Sequence, residues 1–185
     1  MLTRITADQI DNNTFTTKVE GIVTTDNETR SYIPEYADSV LWAGNSGNNN
    51  GEMISDWDDA NRKTFFQWKA SSGQSSLQDY YIVKLWKLPS TWQEWQDPAI
   101  TLEYMTDVAD TAKAKIKMTI EKNGVQVYDS SDLAADSWTT LSVTKADMGV
   151  WAADDDMVVK IRMFALDDGT QHTAKVSTLK INYKG

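Results

Sequence analysis

Few side chains in this chain of 185 residues can do chemistry, and their spacing limits what each could do. His172 is the single histidine and there is no cysteine, so thiolate nucleophiles, thiolate metal sites and disulfides are excluded together. A Ser-His-Asp triad would have to be built on His172, yet no nucleophile elbow or other local signature accompanies it. Its place just after a turn, at the start of a predicted strand, marks it as a partly exposed edge residue. Asp154, Asp155 and Asp156, with Asp147 nearby, offer oxygen donors of the type calcium takes. Consecutive acids point in different directions on an extended chain, and the spacing matches no calcium loop, so the group reads as a solvated acidic loop. Asp56, Asp58 and Asp59 read the same way. Glu94 and Glu103 are not a recognisable glycosidase pair, because that chemistry depends on a carboxylate separation that spacing in sequence does not state. Neither a metal nor a cofactor is expected, and the chain is expected not to be an enzyme.

The suggestive residues are aromatic. Eight tryptophans and seven tyrosines are a heavy load for this length, and Trp86, Trp92, Trp95 and Tyr104 cluster in the sequence. Trp92 and Trp95 lie in STWQEWQD, a polar segment between two predicted strands, where a core assignment is less obvious. Three uses stay open: packing at the core or rim of a sandwich, contact between subunits, where Trp and Tyr are enriched, and stacking on the rings of a glycan.

The elements that would position these groups are strands. Ile116, Met118 and Ile120 alternate with Lys115, Lys117, Thr119 and Glu121; Asn123-Gly124 turns the chain, and Val125 and Val127 resume the alternation. Alternation on both sides of Asn-Gly is a strong hairpin signal, because a type I′ turn needs positive φ at both central residues. The same grammar recurs in KTFFQWK (63–69), YYIVKLWKL (80–88, halted by Pro89), AITLEYM (99–105), WTTLSV (138–143), MVVKIRMFAL (157–166) and HTAKVSTLKINYK (172–184). About eight strands with turns between them predict an all-β sandwich or barrel. The only helical candidate is a short turn near Thr144 to Met148.

Residues 1–62 differ. They are rich in Thr, Asn and Asp, include NSGNNNG, and carry only short apolar groups at Ile22-Val23, Tyr32-Ile33 and Val40-Leu41-Trp42. They divide from the strand-rich 63–185 as an extended N-terminal arm, with early strands and long loops of the same domain as the alternative. The first twenty residues hold no apolar core of a secretory leader, so the Asn12 and Asn27 glycosylation patterns carry no weight. No apolar run reaches the length of a membrane span. A formal charge of −9, with no basic cluster, argues against nucleic acid as a partner.

One resemblance adds to this reading. KLP at 87–89 followed by a tryptophan-bearing loop, AITLEYMTD, WTTLSV, the DDD loop leading into VVKIRMFA, and the closing LKINY resemble a jelly-roll domain of tailed-phage virion proteins, of the head-decoration and fibre type. The opening ITADQIDNNTF is similar to the N-terminal arms of phage structural proteins. The resemblance implies a jelly-roll β-sandwich with an extended arm, in a structural protein made in the host cytoplasm and displayed on the capsid surface. It would assemble with itself as a homotrimer and contact the major capsid protein or another virion protein. The alternative is a carbohydrate-binding module stacking glycan on Trp86, Trp92 and Trp95. The two are compatible, since a virion projection can bind host-surface sugars.

Overall fold

The computed structural model describes residues 27–34, 36 and 39–185. Among them eleven strands occur: β1 (Asn27–Tyr32), β2 (Ser39–Trp42), β3 (Gly51–Asp58), β4 (Lys63–Ala70), β5 (Gln78–Lys87), β6 (Glu94–Thr106), β7 (Ala114–Lys122), β8 (Val125–Asp129), β9 (Thr139–Val143), β10 (Asp156–Ala165) and β11 (Thr173–Lys184). Among the described residues the helix is a single turn, α1 (Lys145–Met148), closed by a capping box in which Thr144 and Asp147 bond each other's backbone. No helix among the described residues is long and apolar enough to cross a membrane.

The strands form two antiparallel sheets, β3-β4-β11-β6-β9 with β1 also on β11, and β2-β5-β10-β7-β8. Reduced to the last eight strands, the orders are β4-β11-β6-β9 and β5-β10-β7-β8, in which most successive strands change sheet. That double Greek-key order defines a jelly roll. The expected sandwich of about eight strands is therefore present, with three further strands on its edges.

Those three come from the stretch expected to be an arm. Over its described part it is laid on the sandwich: β1 runs along β11, β2 edges β5, and β3 edges β4. An edge strand needs little apolar surface, because one face and one row of backbone groups stay wet. This is why GEMISDWD, the sequence of β3, carries so weak a signal. The Ile22-Val23 pair, Asn12 of the first glycosylation pattern and the ITADQIDNNTF segment lie outside the described residues.

Alternation along the central strands builds the core. Ile116, Met118 and Ile120 of β7 and Met157, Val159, Ile161 and Met163 of β10 are fully buried between the sheets. Asn123 and Gly124 have φ of 49° and 80°, the pair of positive values the type I′ turn requires. β11 pairs with β4 as far as Val176 and with β1 from Leu179 on, with a register shift between. Ser177 fills that break, donating its hydroxyl to Thr64 O at 2.7 Å and accepting the buried Tyr36 hydroxyl on its carbonyl.

Candidate functional site

The four aromatic residues singled out from sequence do not form one surface. Trp86, Trp92 and Trp95 do meet: Trp95 packs edge-on against Trp92 and Trp151, with centroids 5.9 and 5.5 Å away, and Trp86 lies 5.3 Å from Tyr183. They plug one end of the sandwich. Trp95 is 2% exposed, and β6 begins at Glu94, so the polar segment expected between strands is already strand where Trp95 sits, opposite Tyr183. Trp86 and Trp92 are half-buried on the rim of the same cluster. Tyr104 is buried toward the other end of β6, apart from the tryptophans.

His172 corrects an expectation. It is 5% exposed rather than a partly exposed edge residue, because Asp107 folds over it and takes its Nδ1 at 2.8 Å. Of the acids expected to be solvated, Asp155 and Asp58 have structural partners, while Asp56, Asp154 and Asp156 are exposed. Asp155 pairs with Lys122 at 2.9 Å and accepts from Asn123 at 2.7 Å, holding the loop before β10 to the β7–β8 turn. Asp58 accepts from Trp138 Nε1 at 2.8 Å. Among the described residues no group of three or more His, Asp or Glu side chains is placed to hold a metal ion. Glu94 and Glu103 stand near opposite ends of β6, on the order of 30 Å of extended strand apart. Glycosidase carboxylates work at roughly 5–9.5 Å. Each is instead paired with lysine, Glu94 with Lys145 and Lys184, and Glu103 with Lys63.

The open polar surface lies elsewhere, on the outer face of β2-β5-β10-β7-β8. Residues paired across strands point to the same side. Trp42, Tyr81, Arg162 and Lys117 therefore make one row, and Val40, Val83, Lys160, Thr119 and Asp129 the next. Trp42 is 39% exposed and leans on Tyr81, centroids 5.0 Å apart at 42°. Tyr81 is wedged from behind by Gly44, whose φ of +71° and lack of Cβ allow the contact; a Cβ there would sit 2.7 Å from the Tyr81 ring.

Beyond this aromatic shelf the face is a mosaic of ion pairs: Arg162 with Asp79, Lys160 with Glu121, and Lys117 with Asp129 at 2.9 Å. Of these, Arg162, Lys160, Glu121, Lys117 and Asp129 line, with Thr119 and Gln126, a shallow groove of about 320 Å³, and Asp79 lies buried behind Arg162. Four strand spacings make the face ~19 Å wide, enough for an extended ligand. Burial raises the Tyr81 hydroxyl above its ordinary range, with Arg162 opposing and Asp79 assisting, so the phenol stays neutral beside the groove. Chemically the groove offers an exposed ring for an apolar face and alternating donors and acceptors for hydroxyls.

Sequence reasoning missed this face. Its available signals were the apolar triplet Val40-Leu41-Trp42 in an otherwise polar region and the outward phase of Tyr81, Lys160 and Arg162. Only pairing brings β2 beside β5, so the row could not be seen in either segment alone.

No family model and no curated protein sequence matches the chain. Among solved structures it is similar to a family 35 carbohydrate binding module from Clostridium thermocellum, with 16% identity and a TM-score of 0.46 over 85% of this chain and 99% of that one. The CBM22-1 xylan-binding domain from Paenibacillus barcinonensis Xyn10C gives 13% identity and a TM-score of 0.46 over 88% and 97%. A family two carbohydrate esterase from Cellvibrio japonicus gives 8% identity and a TM-score of 0.44 over 86% of this chain, which spans 35% of that chain's length.

Proposed function

We propose that this chain is a non-catalytic carbohydrate-binding β-sandwich whose ligand face is the outer surface of β2-β5-β10-β7-β8. The observation that carries the reading is Trp42: an indole left 39% exposed on a sheet, braced by Tyr81, at the head of a row of hydrogen-bonding side chains. A sugar ring has an apolar C–H face and a rim of hydroxyls, and this arrangement complements both. The glycan-stacking role expected for Trp86, Trp92 and Trp95 passes to Trp42, because those three close the end of the core. Glu94 and Glu103 do not make a glycosidase pair, being widely separated along β6 and each engaged by lysine.

The test is retention on a glycan array and in affinity gels, for the intact chain and for Trp42→Ala. The intact chain is expected to bind at least one polysaccharide class, and Trp42→Ala to lose about tenfold or more, as removal of a stacking ring does elsewhere. Full affinity in Trp42→Ala, or no glycan bound by the intact chain, sinks the reading.

A second reading, a structural component of a phage particle, concerns where the module is displayed. It is supported by the fit of the layout resemblance to the fold: KLP begins on the last residue of β5, AITLEYM lies in β6, TTLSV is β9, VVKIRMFA lies in β10 and LKINY lies near the end of β11. Light scattering on the full chain tests it. A trimer supports a virion projection, and a monomer at every concentration counts against it.

A further inference from the structure

We propose that the groove on the outer face of β2-β5-β10-β7-β8 takes a neutral, polyhydroxylated glycan chain and rejects acidic ones. The inference rests on the glycan-binding reading above and names its ligand class.

The reason lies in how the charges are arranged. The three cations of the groove, Lys117, Lys160 and Arg162, each already hold a carboxylate, from Asp129, Glu121 and Asp79 respectively. The formal charge of this set is zero, inside a chain of net charge −9. A uronic acid or sulfate would have to take a cation from its partner. At Arg162 that would strand the Asp79 carboxylate, whose side chain is 1% exposed, and an uncompensated buried charge is costly. At longer range the net negative chain repels a polyanion.

The same pairs suit hydroxyls. A paired ammonium has further N–H donors to offer, and a paired carboxylate has further lone pairs. The Lys160–Glu121 and Lys117–Asp129 pairs keep between a fifth and two fifths of their side-chain surface open, 30%/21% and 33%/36%. Each thus presents one donor beside one acceptor, which matches two adjacent hydroxyls, since a hydroxyl both donates and accepts. Thr119 and Gln126 add uncharged groups of the same kind between them. The row from Trp42 on β2 through Tyr81 and Arg162 to Lys117 on β7, whose ammonium pairs with Asp129 of β8, places one ring on the indole and the following units across the strands, so an oligosaccharide fills the face better than a single sugar.

The experiment is affinity electrophoresis and calorimetry of the full chain against neutral polysaccharides (a xylan, a galactan and a glucan) and acidic ones (a polyuronate and a sulfated glucan). Each is run at low and high sodium chloride. A double variant, Glu121→Gln with Asp129→Asn, keeps the shape but removes two carboxylates, and near-ultraviolet dichroism checks its fold. The expected result is binding of a neutral chain that changes less than about twofold with salt. The double variant should lose about tenfold or more on that chain, the loss of charge-assisted hydrogen bonds. Binding confined to acidic glycans and falling steeply with salt overturns this inference but leaves the glycan-binding reading standing. Retention of no glycan overturns both.

Discussion

Arg162 donates through Nε to a carboxylate of Asp79 that is almost fully buried, although both residues lie on the outward side of their strands. Asp79 is covered because the loop between β2 and β3 folds over it: Ser46 donates its hydroxyl to Asp79 at 2.8 Å, and Asn48 O accepts the Asp79 N–H at 2.6 Å. The guanidinium in turn lies 4.4 Å from the Phe164 ring and 5.1 Å from that of Tyr81. One side chain thus joins β10, β5 and the loop that carries Gly44, and sets the floor of the groove.

Replacing Arg162 by Ala should destabilise the fold by about 2–3 kcal/mol, because it leaves a buried carboxylate without its charge partner while the arginine end itself is partly solvated. Chemical denaturation measures this. Asp79→Asn in the same background removes the stranded charge and is expected to recover part of the loss. A single variant as stable as the parent would show that the pair contributes nothing.

Trp95→Ala should cost about 3–5 kcal/mol, the range for emptying a large aromatic from a core, since Trp95 is enclosed by Trp86, Trp92 and Trp151. Its indole nitrogen is buried with no hydrogen-bond partner among the described residues, so Trp95→Phe gives up packing volume but no hydrogen bond and should cost less than half as much. Trp42→Ala, at an exposed ring, should stay within about 1 kcal/mol of the parent. Melting curves of the three variants separate core from surface tryptophans, and equal losses in Trp42→Ala and Trp95→Ala would contradict the assignment.

Acid should weaken the end of the sandwich where Glu94 sits. Hydrogen bonds from Lys145 and then from Lys184, the latter at 2.6 Å, hold the Glu94 carboxyl down at about 2 against an ordinary 4.5. A carboxyl that binds its proton less readily when folded stabilises the fold fully above its unfolded pKa, and that contribution is lost as pH falls through the folded one. The window is therefore pH 4.5 down to about 2. Denaturation midpoints measured across it should fall less steeply for Glu94→Gln than for the parent; identical slopes would remove Glu94 from the account. Asp58, at the end of the edge strand β3, is lowered from 3.8 to about 2, first by the Trp138 indole N–H and then by Asn61, and should act between those two pH values.

The strands from Lys63 onward were legible because each carries its own instruction. Alternation at Ile116, Met118 and Ile120 names a buried face, and Asn123-Gly124 names the turn, with no reference to the rest of the chain. The single helical turn at Lys145–Met148 was legible for the same reason, since Thr144 and Asp147 close it locally. The edge strands were not, because β1, β2 and β3 owe their extended form to the backbone groups of β11, β5 and β4 rather than to apolar content of their own.

The sequence by itself determined the class of fold, the buried faces of the central strands and the lack of cysteine chemistry, all of which follow from local periodicity and composition. Only the tertiary structure decided which aromatic rings face water. Trp95 stands in a polar segment and Trp42 in the apolar triplet Val40-Leu41-Trp42, yet it is Trp95 that enters the core, because β6 starts early and meets Tyr183. Trp42 stays at the surface because β2 closes on β5 with Tyr81 beside it. Burial is a property of which strands come together, and the pairing of β2 with β5 spans about forty residues of chain that local patterning does not reach.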